Sequence, residues 1–347
     1  MNCDFEVMVV PVRQGRYTLT LPSAPGISGY AAVVGKKEGE GPLGREFDYI
    51  YEDAMAGEKS WEKAESVIHR DAVSRAIAKA GIAPQDADVI FAGDLLNQCM
   101  GTTFGIRELG IPFAGLYGAC STMSLSLAAA AVCVDSRIAE TAVASTSSHF
   151  CSAEKQFRMP LEYGGQRTPT SQWTATAAGA AVVTKKESKA RIEKILIGRI
   201  QDYGIKDPNN MGAAMAPAAC RTISDFLNDT NTSPTDYDMI LTGDLGSVGS
   251  QLLCELMIKQ ENIDISAVHE DCGLLLYDME NQKDVGAGGS GCGCSGAVLC
   301  SDILKKIENG ELKKVLFVGT GALLSSVSPL QSETIPGIAH AVLICGG

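Results

Sequence analysis

One cysteine stands where this chain could do chemistry. The stretch Leu116-Tyr117-Gly118-Ala119-Cys120-Ser121-Thr122-Met123-Ser124-Leu125 follows Gly110-Ile111-Pro112 and leads into an alanine-rich segment, Ser124 to Val134. That order reads as a strand, a tight turn of small residues and a buried helix. Cys120 falls at the helix N-terminus, where unpaired backbone N–H groups and the helix dipole favour a thiolate or a bound anion. Two roles are open to it: nucleophile, or wall of a pocket.

The elements around it can be read from periodicity and punctuation. Ser60 caps a helix whose apolar positions Ala64, Val67, Ile68, Ala72, Ala76, Ile77 and Ala80 keep a helical period, and Gly81 stops it. Val89 to Ala92 is a strand ending in Gly93-Asp94-Leu95-Leu96-Asn97-Gln98. The second half repeats the order. Pro84-x-Asp86-x-Asp88-x-Ile90 and Gly93-Asp94-Leu95 match Pro234-x-Asp236-x-Asp238-x-Ile240 and Gly243-Asp244-Leu245 at one constant offset. Gly118-Ala119-Cys120-Ser121 matches Cys292-Gly293-Cys294-Ser295, Thr141 to Thr146 matches Val315 to Thr320, and Gly179 to Val183 matches Ala339 to Leu343. Several matches in one order imply duplicated α/β halves, residues 1–188 and 189–347, each with a mostly parallel sheet. Helices such as Ser124–Val134 would pack between the two sheets, which explains their small, uncharged residues.

Bulk properties exclude several classes. With 45% hydrophobic and 20% charged residues over 347 positions, the chain folds into two subdomains of ordinary size. A net charge of −12, without a long basic cluster, argues against nucleic acid as a partner. The 12 cysteines lie mostly in apolar surroundings and read as reduced, intracellular thiols. Cys292-Gly-Cys294 lacks a second pair to complete a zinc site, so no metal is expected, and the pair reads as a tight turn. No signal peptide is read at the N-terminus. The longest apolar run, Leu125 to Val134, is about half of what a bilayer span needs, so no transmembrane helix is expected.

Duplicated halves with cysteine in Gly-Ala-Cys-Ser resemble the thiolase fold of thiolases and ketoacyl synthases, a layered αβαβα arrangement with buried central helices. In that family a nucleophilic cysteine is helped by two histidines, or a histidine and an asparagine, from the second half. The matching places here are Thr242-Gly243-Asp244-Leu245-Gly246 and Gly288-Gly289-Ser290-Gly291-Cys292-Gly293-Cys294. Neither holds histidine or asparagine, so the groups that a condensation needs are missing.

Longer motifs narrow the resemblance. Gly39-Glu40-Gly41-Pro42-Leu43-Gly44, Gly57 to Ala64, Ala92 to Gln98, Ser147-Ser148-His149, Glu154 to Arg158, Glu162 to Gln166 and Asn210 to Pro217 together resemble the stage V sporulation protein AD family of spore-forming bacteria. The resemblance implies a non-catalytic protein that binds dipicolinic acid, or its calcium chelate, for uptake into the developing spore. It also implies a peripheral position at the inner spore membrane beside other stage V sporulation A membrane proteins. Dipicolinate is a small, flat, aromatic dianion and needs an anion-friendly helix end, hydroxyl and amide donors and apolar walls. Cys120 offers the first. Ser145, Ser147 and His149 offer donors at a strand end, Gln172 and Asn97 amides, and His340 lies in the closing strand of the second half. Asp94 would meet calcium on the chelate, the ligand bringing its own cation.

Competing readings stand beside these. Asp94 and Asp244 at matching positions would each cap the helix after their strand. His149 would be a satisfied core histidine, His340 a packing residue, and His69 and His269 surface residues. Arg158 and Arg167 sit in the long segment Phe150 to Trp173, which would cover the pocket or a subunit interface and steer an anion. A homodimer is expected by analogy with thiolases. The alternative function is residual acyl transfer through Cys120, with His149 or His340 as base.

Overall fold

Runs of valine, isoleucine and alanine between glycines form the strands, and the alanine-rich segments form helices pressed between them. In the computed structural model, which describes residues 10–157 and 167–347, the first half supplies β1 (Gly26–Gly35), β2 (Val89–Gly93), β3 (Phe113–Gly115), β4 (Thr141–Ser148) and β5 (Ala177–Thr184). The second supplies β6 (Ala190–Leu196), β7 (Met239–Thr242), β8 (His269–Asp271), β9 (Lys314–Ala322) and β10 (Gly337–Gly346). Strand order is β3-β2-β4-β5-β1 in one half and β8-β7-β9-β10-β6 in the other.

The two orders are the same order, as the repeat requires. In each half the three outer strands run parallel, and the closing strand, β5 or β10, runs antiparallel to both its neighbours. The expectation of a mostly parallel sheet is therefore corrected. The outer strands, joined by crossovers, pair in parallel, whereas the returns into β5 and β10 bring those strands in antiparallel. The halves meet edge to edge where Ala190 pairs with Ile27 and Arg191 with Gly26, and Thr18–Thr20 of the first half also pairs antiparallel with Lys194 to Leu196 of β6, so one hydrogen-bonded network runs through both.

The helices are α1 (Trp61–Lys79), α2 (Met100–Ile106), α3 (Thr122–Asp135), α4 (Phe150–Phe157), α5 (Met211–Thr230), α6 (Gly246–Leu256) and α7 (Cys292–Val298). Ser60 caps α1 by accepting from the Lys63 N–H at 3.4 Å, and Asn210 caps α5 through Ala213 at 3.3 Å. α1 covers β1, β4 and β5 from outside, and α5 covers β9 and β10. Between the sheets lie α3, which touches strands of both halves, and α7, every residue of which is buried. The layering is αβαβα. Small residues make the central layer possible. A Cβ on Gly179 of β5 would sit 2.2 Å from the Gly296 carbonyl oxygen of α7, so only glycine lets the two backbones meet. Among the described residues no helix is long and apolar enough to cross a membrane.

Candidate functional site

The turn that presents Cys120 is built by side chains bonding back to backbone. The Ser121 hydroxyl donates to the Gly118 carbonyl and the Thr122 hydroxyl to the Ala119 carbonyl, each at 2.6 Å. The Gly118 N–H donates to Thr122 Oγ1 at 3.2 Å. These short bonds hold Ala119 at φ 49, a left-handed conformation that a residue with a Cβ rarely adopts. Cys120, immediately before the N-cap Ser121 of α3, is only 5% exposed, against Leu95, Ala153 and Cys292. It lines a cavity of about 30 Å³ walled by Leu95, Tyr117, Ala153, Phe157, Met211 and Leu324, with Thr174 and Ser290 as further polar neighbours. Among the described residues that line it, none is a lysine, arginine or histidine.

Behind Cys120 and Ser290 lies Asp244, fully buried at the end of β7. Its carboxylate accepts from the Thr320 hydroxyl at 2.8 Å, the Gly291 N–H at 2.8 Å and the Ser290 hydroxyl at 3.2 Å. Burial pushes its acidity to about 6, and those donors hold back a larger rise. Burial, with Asp244 next, drives the Cys120 thiol well above its ordinary value. The carboxylate therefore carries the charge at neutral pH and the sulfur keeps its proton. The capping reading of Asp244 is corrected: Asp271 serves the start of α6 instead, accepting from the Leu245 N–H at 2.8 Å and the Gly246 N–H at 2.9 Å.

Of the ligand-site candidates, Cys120 is the one the fold places in this cavity wall. Asp94 does cap. It accepts from the Leu96 N–H at 2.7 Å and from both the N–H and hydroxyl of Thr102, in the first turn of α2, at 2.6 Å. Asn97 is exposed, and its backbone N–H donates to Gln156. Ser145 bonds His69, and Ser147 donates to Glu65, both within the packing of β4 on α1. The His149 ring is satisfied by the Ala54 carbonyl at 2.8 Å and the Cys151 N–H at 3.2 Å. His340 accepts from the Gly198 N–H at 3.1 Å, and burial lowers it to about 4.

Gln172 acts from behind the site. Its amide donates to the carbonyls of Asp244 and Gly289, each at 2.7 Å, and so ties the first half to both second-half segments beside Cys120. Arg167 is committed to Glu154 at 3.2 Å and to the Gln172 carbonyl at 2.6 Å, and Arg158 lies outside the described residues. His69 is not a surface residue. It is fully buried, 2.9 Å from Ser145 Oγ, and burial lowers it to about 3. The helical stripe missed it because α2 packs on the flank of α1 and widens its buried face. His269 is half-buried, 2.9 Å from Thr242 Oγ1.

Thr320, Ser290 and the apolar wall residues were not singled out from the sequence. The repeat carried a signal for Thr320, which matches Thr146. The wall comes from five separated segments, and no spacing rule joins them. Among the described residues, the cysteines are free thiols and no cluster of three or more histidine, cysteine or acidic side chains is placed to hold a metal.

Residues 15–345 match the family model described as stage V sporulation protein AD. The chain belongs to that family. It is 44% identical over 317 residues to the stage V sporulation protein AD of Bacillus subtilis (strain 168), covering 91% of this chain and 93% of that one. Among solved structures, 3-oxoacyl-[acyl-carrier-protein] synthase III from Aquifex aeolicus VF5 superposes with a TM-score of 0.59 at 15% identity, covering 92% of this chain and 99% of that one. Cerulenin-bound OleA of Xanthomonas campestris superposes at 0.56 with 14% identity, over 95% and 97%. These likenesses show a thiolase-like fold in a sporulation protein family.

Proposed function

We propose that this chain binds dipicolinic acid, or its calcium chelate, during its uptake into the developing spore, and that it performs no catalysis. Membership of the stage V sporulation protein AD family supports the sporulation role. The observation that carries the non-catalytic reading is Asp244. Thiolases and ketoacyl synthases place a basic partner at the corresponding strand end, whereas a fully buried carboxylate stands here and, after burial itself, raises the Cys120 thiol further. A nucleophile needs its proton removed, and a neighbouring anion opposes that.

The cavity is small for the ligand. Pockets for small molecules commonly run from about 300 to 1,000 Å³, so dipicolinate entry requires wall side chains such as Tyr117, Phe157 and Leu324 to swing outward. Any calcium arrives with the ligand, because Asp94 already spends its acceptors on Leu96 and Thr102. Calorimetry with dipicolinate, with and without calcium, tests the reading. Wild type should bind, and Ala153→Phe, which fills the cavity, should weaken binding at least about tenfold. No heat from wild type with either form would sink it.

The proposed setting is peripheral at the inner spore membrane, beside other stage V sporulation A membrane proteins. A second copy is the partner proposed for the outer edge of β3. Phe113 and Tyr117 are exposed there. A chain of net charge −12 needs an uncharged face to meet itself, and this edge, unlike β8 with Glu270, carries no charge. Phe113→Glu should halve the mass measured by light scattering. A wild type that runs as a monomer at micromolar concentration rules the dimer out.

A further inference from the structure

The described wall of the Cys120 cavity holds no cation, although the ligand proposed for it is a dianion. A larger opening, of about 400 Å³, lies between α1 and α2. That volume falls in the range usual for small-molecule sites, about 300 to 1,000 Å³. Small residues bring the two helices together there. The Ser66 hydroxyl donates to the Gly101 carbonyl at 2.9 Å, and a Cβ on Gly105 would stand 2.6 Å from the Ser66 carbonyl oxygen, so the backbones touch. Around that crossing, longer side chains leave a groove. Its sides are Lys63, Val67 and Arg70 of α1, Met100 and Phe104 of α2, and Arg107 directly after α2.

The charges in this groove are unequally spent. Glu62 is paired with Lys155, and Glu108 with Arg70, the latter loosely at 3.4 Å. Among the described residues, the Lys63 ammonium and the Arg107 guanidinium have neither an ion pair nor a hydrogen bond, and the one acid left over in the wall is Glu58. Arg107 instead lies over the Phe104 ring, 5.1 Å from its centroid, and that ring is 52% exposed. A guanidinium meets a carboxylate through two parallel N–H bonds and an ammonium meets one as a point charge, while a half-exposed phenyl beside them can stack a flat ring. We propose that the groove between α1 and α2 is a second binding site, for a small planar aromatic dicarboxylate held by Lys63, Arg107 and Phe104. Dipicolinate has that chemistry, so the inference rests on the function proposed above for the choice of its ligand. The groove gives the dianion the cations that the Cys120 cavity lacks. It is open to solvent, so its charges are screened and it binds more weakly than an enclosed cavity.

Calorimetry with dipicolinate at low salt tests it. Wild type should show two steps, the weaker belonging to the groove. Lys63→Gln combined with Arg107→Gln should weaken that step at least about fivefold and leave the tighter one within about twofold. Ala153→Phe, which fills the Cys120 cavity, should do the reverse. In wild type, about 1 M NaCl shortens the screening length to about 3 Å, so it should remove the weaker step and spare the tighter one, a readout that needs no variant. Binding unmoved by the paired substitution and by salt overturns the groove and leaves the function proposed above standing. Loss of all heat in the paired variant, with Ala153→Phe unaffected, supports the groove and takes the ligand out of the Cys120 cavity. No heat from wild type overturns both.

Discussion

Asp94 and Asp244 end matching strands in matching Gly-Asp-Leu motifs, yet they do different work. Asp94 faces mainly fixed backbone donors, the N–H groups of Leu96 and Thr102, with the Thr102 hydroxyl as its one rotatable donor, and closes its own loop. Asp244 faces two donors that can rotate, the hydroxyls of Thr320 and Ser290, with one fixed N–H from Gly291. Duplication gave both halves the same scaffold, and the neighbours decided whether the carboxylate became a brace or part of a site. In the second half Asp271 caps α6 and frees Asp244 from that duty.

Replacing each aspartate by asparagine should separate the two roles most strongly. At 94 the new NH2 must point at one of two N–H groups, which are donors and cannot answer it. At 244 the NH2 can face Thr320 Oγ1, which has lone pairs to offer, while the oxygen keeps the Gly291 N–H. Asp94→Asn should therefore lose about 2–3 kcal/mol in urea unfolding near pH 7.5, and Asp244→Asn about 1 kcal/mol or less. Equal losses would break the comparison. Acid should sharpen it. Asp244 is raised to about 6 in the folded state, above its unfolded value, so its contribution to stability is fully present below about pH 4 and is lost as pH rises through 6. Asp244→Asn lacks that contribution, so its penalty should grow by about 1–2 kcal/mol between pH 7 and pH 4.5. A pH-independent penalty would mean that Asp244 does not titrate in this range.

The contrast also shows what could be read in advance. The repeat was legible because glycines, aspartates and strand runs recur in one order, and the αβαβα layering follows from it. The buried α3 was legible from its alanines and lack of charge. The polarity of the Cys120 site was half legible. The missing histidine and asparagine could be seen, but the placing of Asp244 behind Ser290, at the cavity that Cys120 lines, depends on segments more than a hundred residues apart converging. Ser145, Ser147 and His149 misled for a physical reason. A hydroxyl-rich strand end looks like a donor cluster, whereas here it satisfies buried Glu65, His69 and the backbone at Ala54. Local residue types cannot distinguish donors aimed at a ligand from donors consumed by the fold.

The smallest expected effect tests that last distinction. If the first half contributes apolar wall and the cysteine turn while its polar strand ends are spent on packing, removing an exposed amide there should change little. Asn97 is exposed, and its hydrogen bond to Gln156 comes from its backbone N–H, which alanine retains. Asn97→Ala should leave dipicolinate affinity within about twofold and stability within about 0.5 kcal/mol. In the same calorimetric series, Ser290→Ala should weaken binding more than Asn97→Ala does, because Ser290 lines the cavity and also touches Asp244. A tenfold loss in Asn97→Ala with Ser290→Ala unaffected would move the ligand to the strand ends of the first half. The Cys120 cavity would then be left as a sealed relic of the fold.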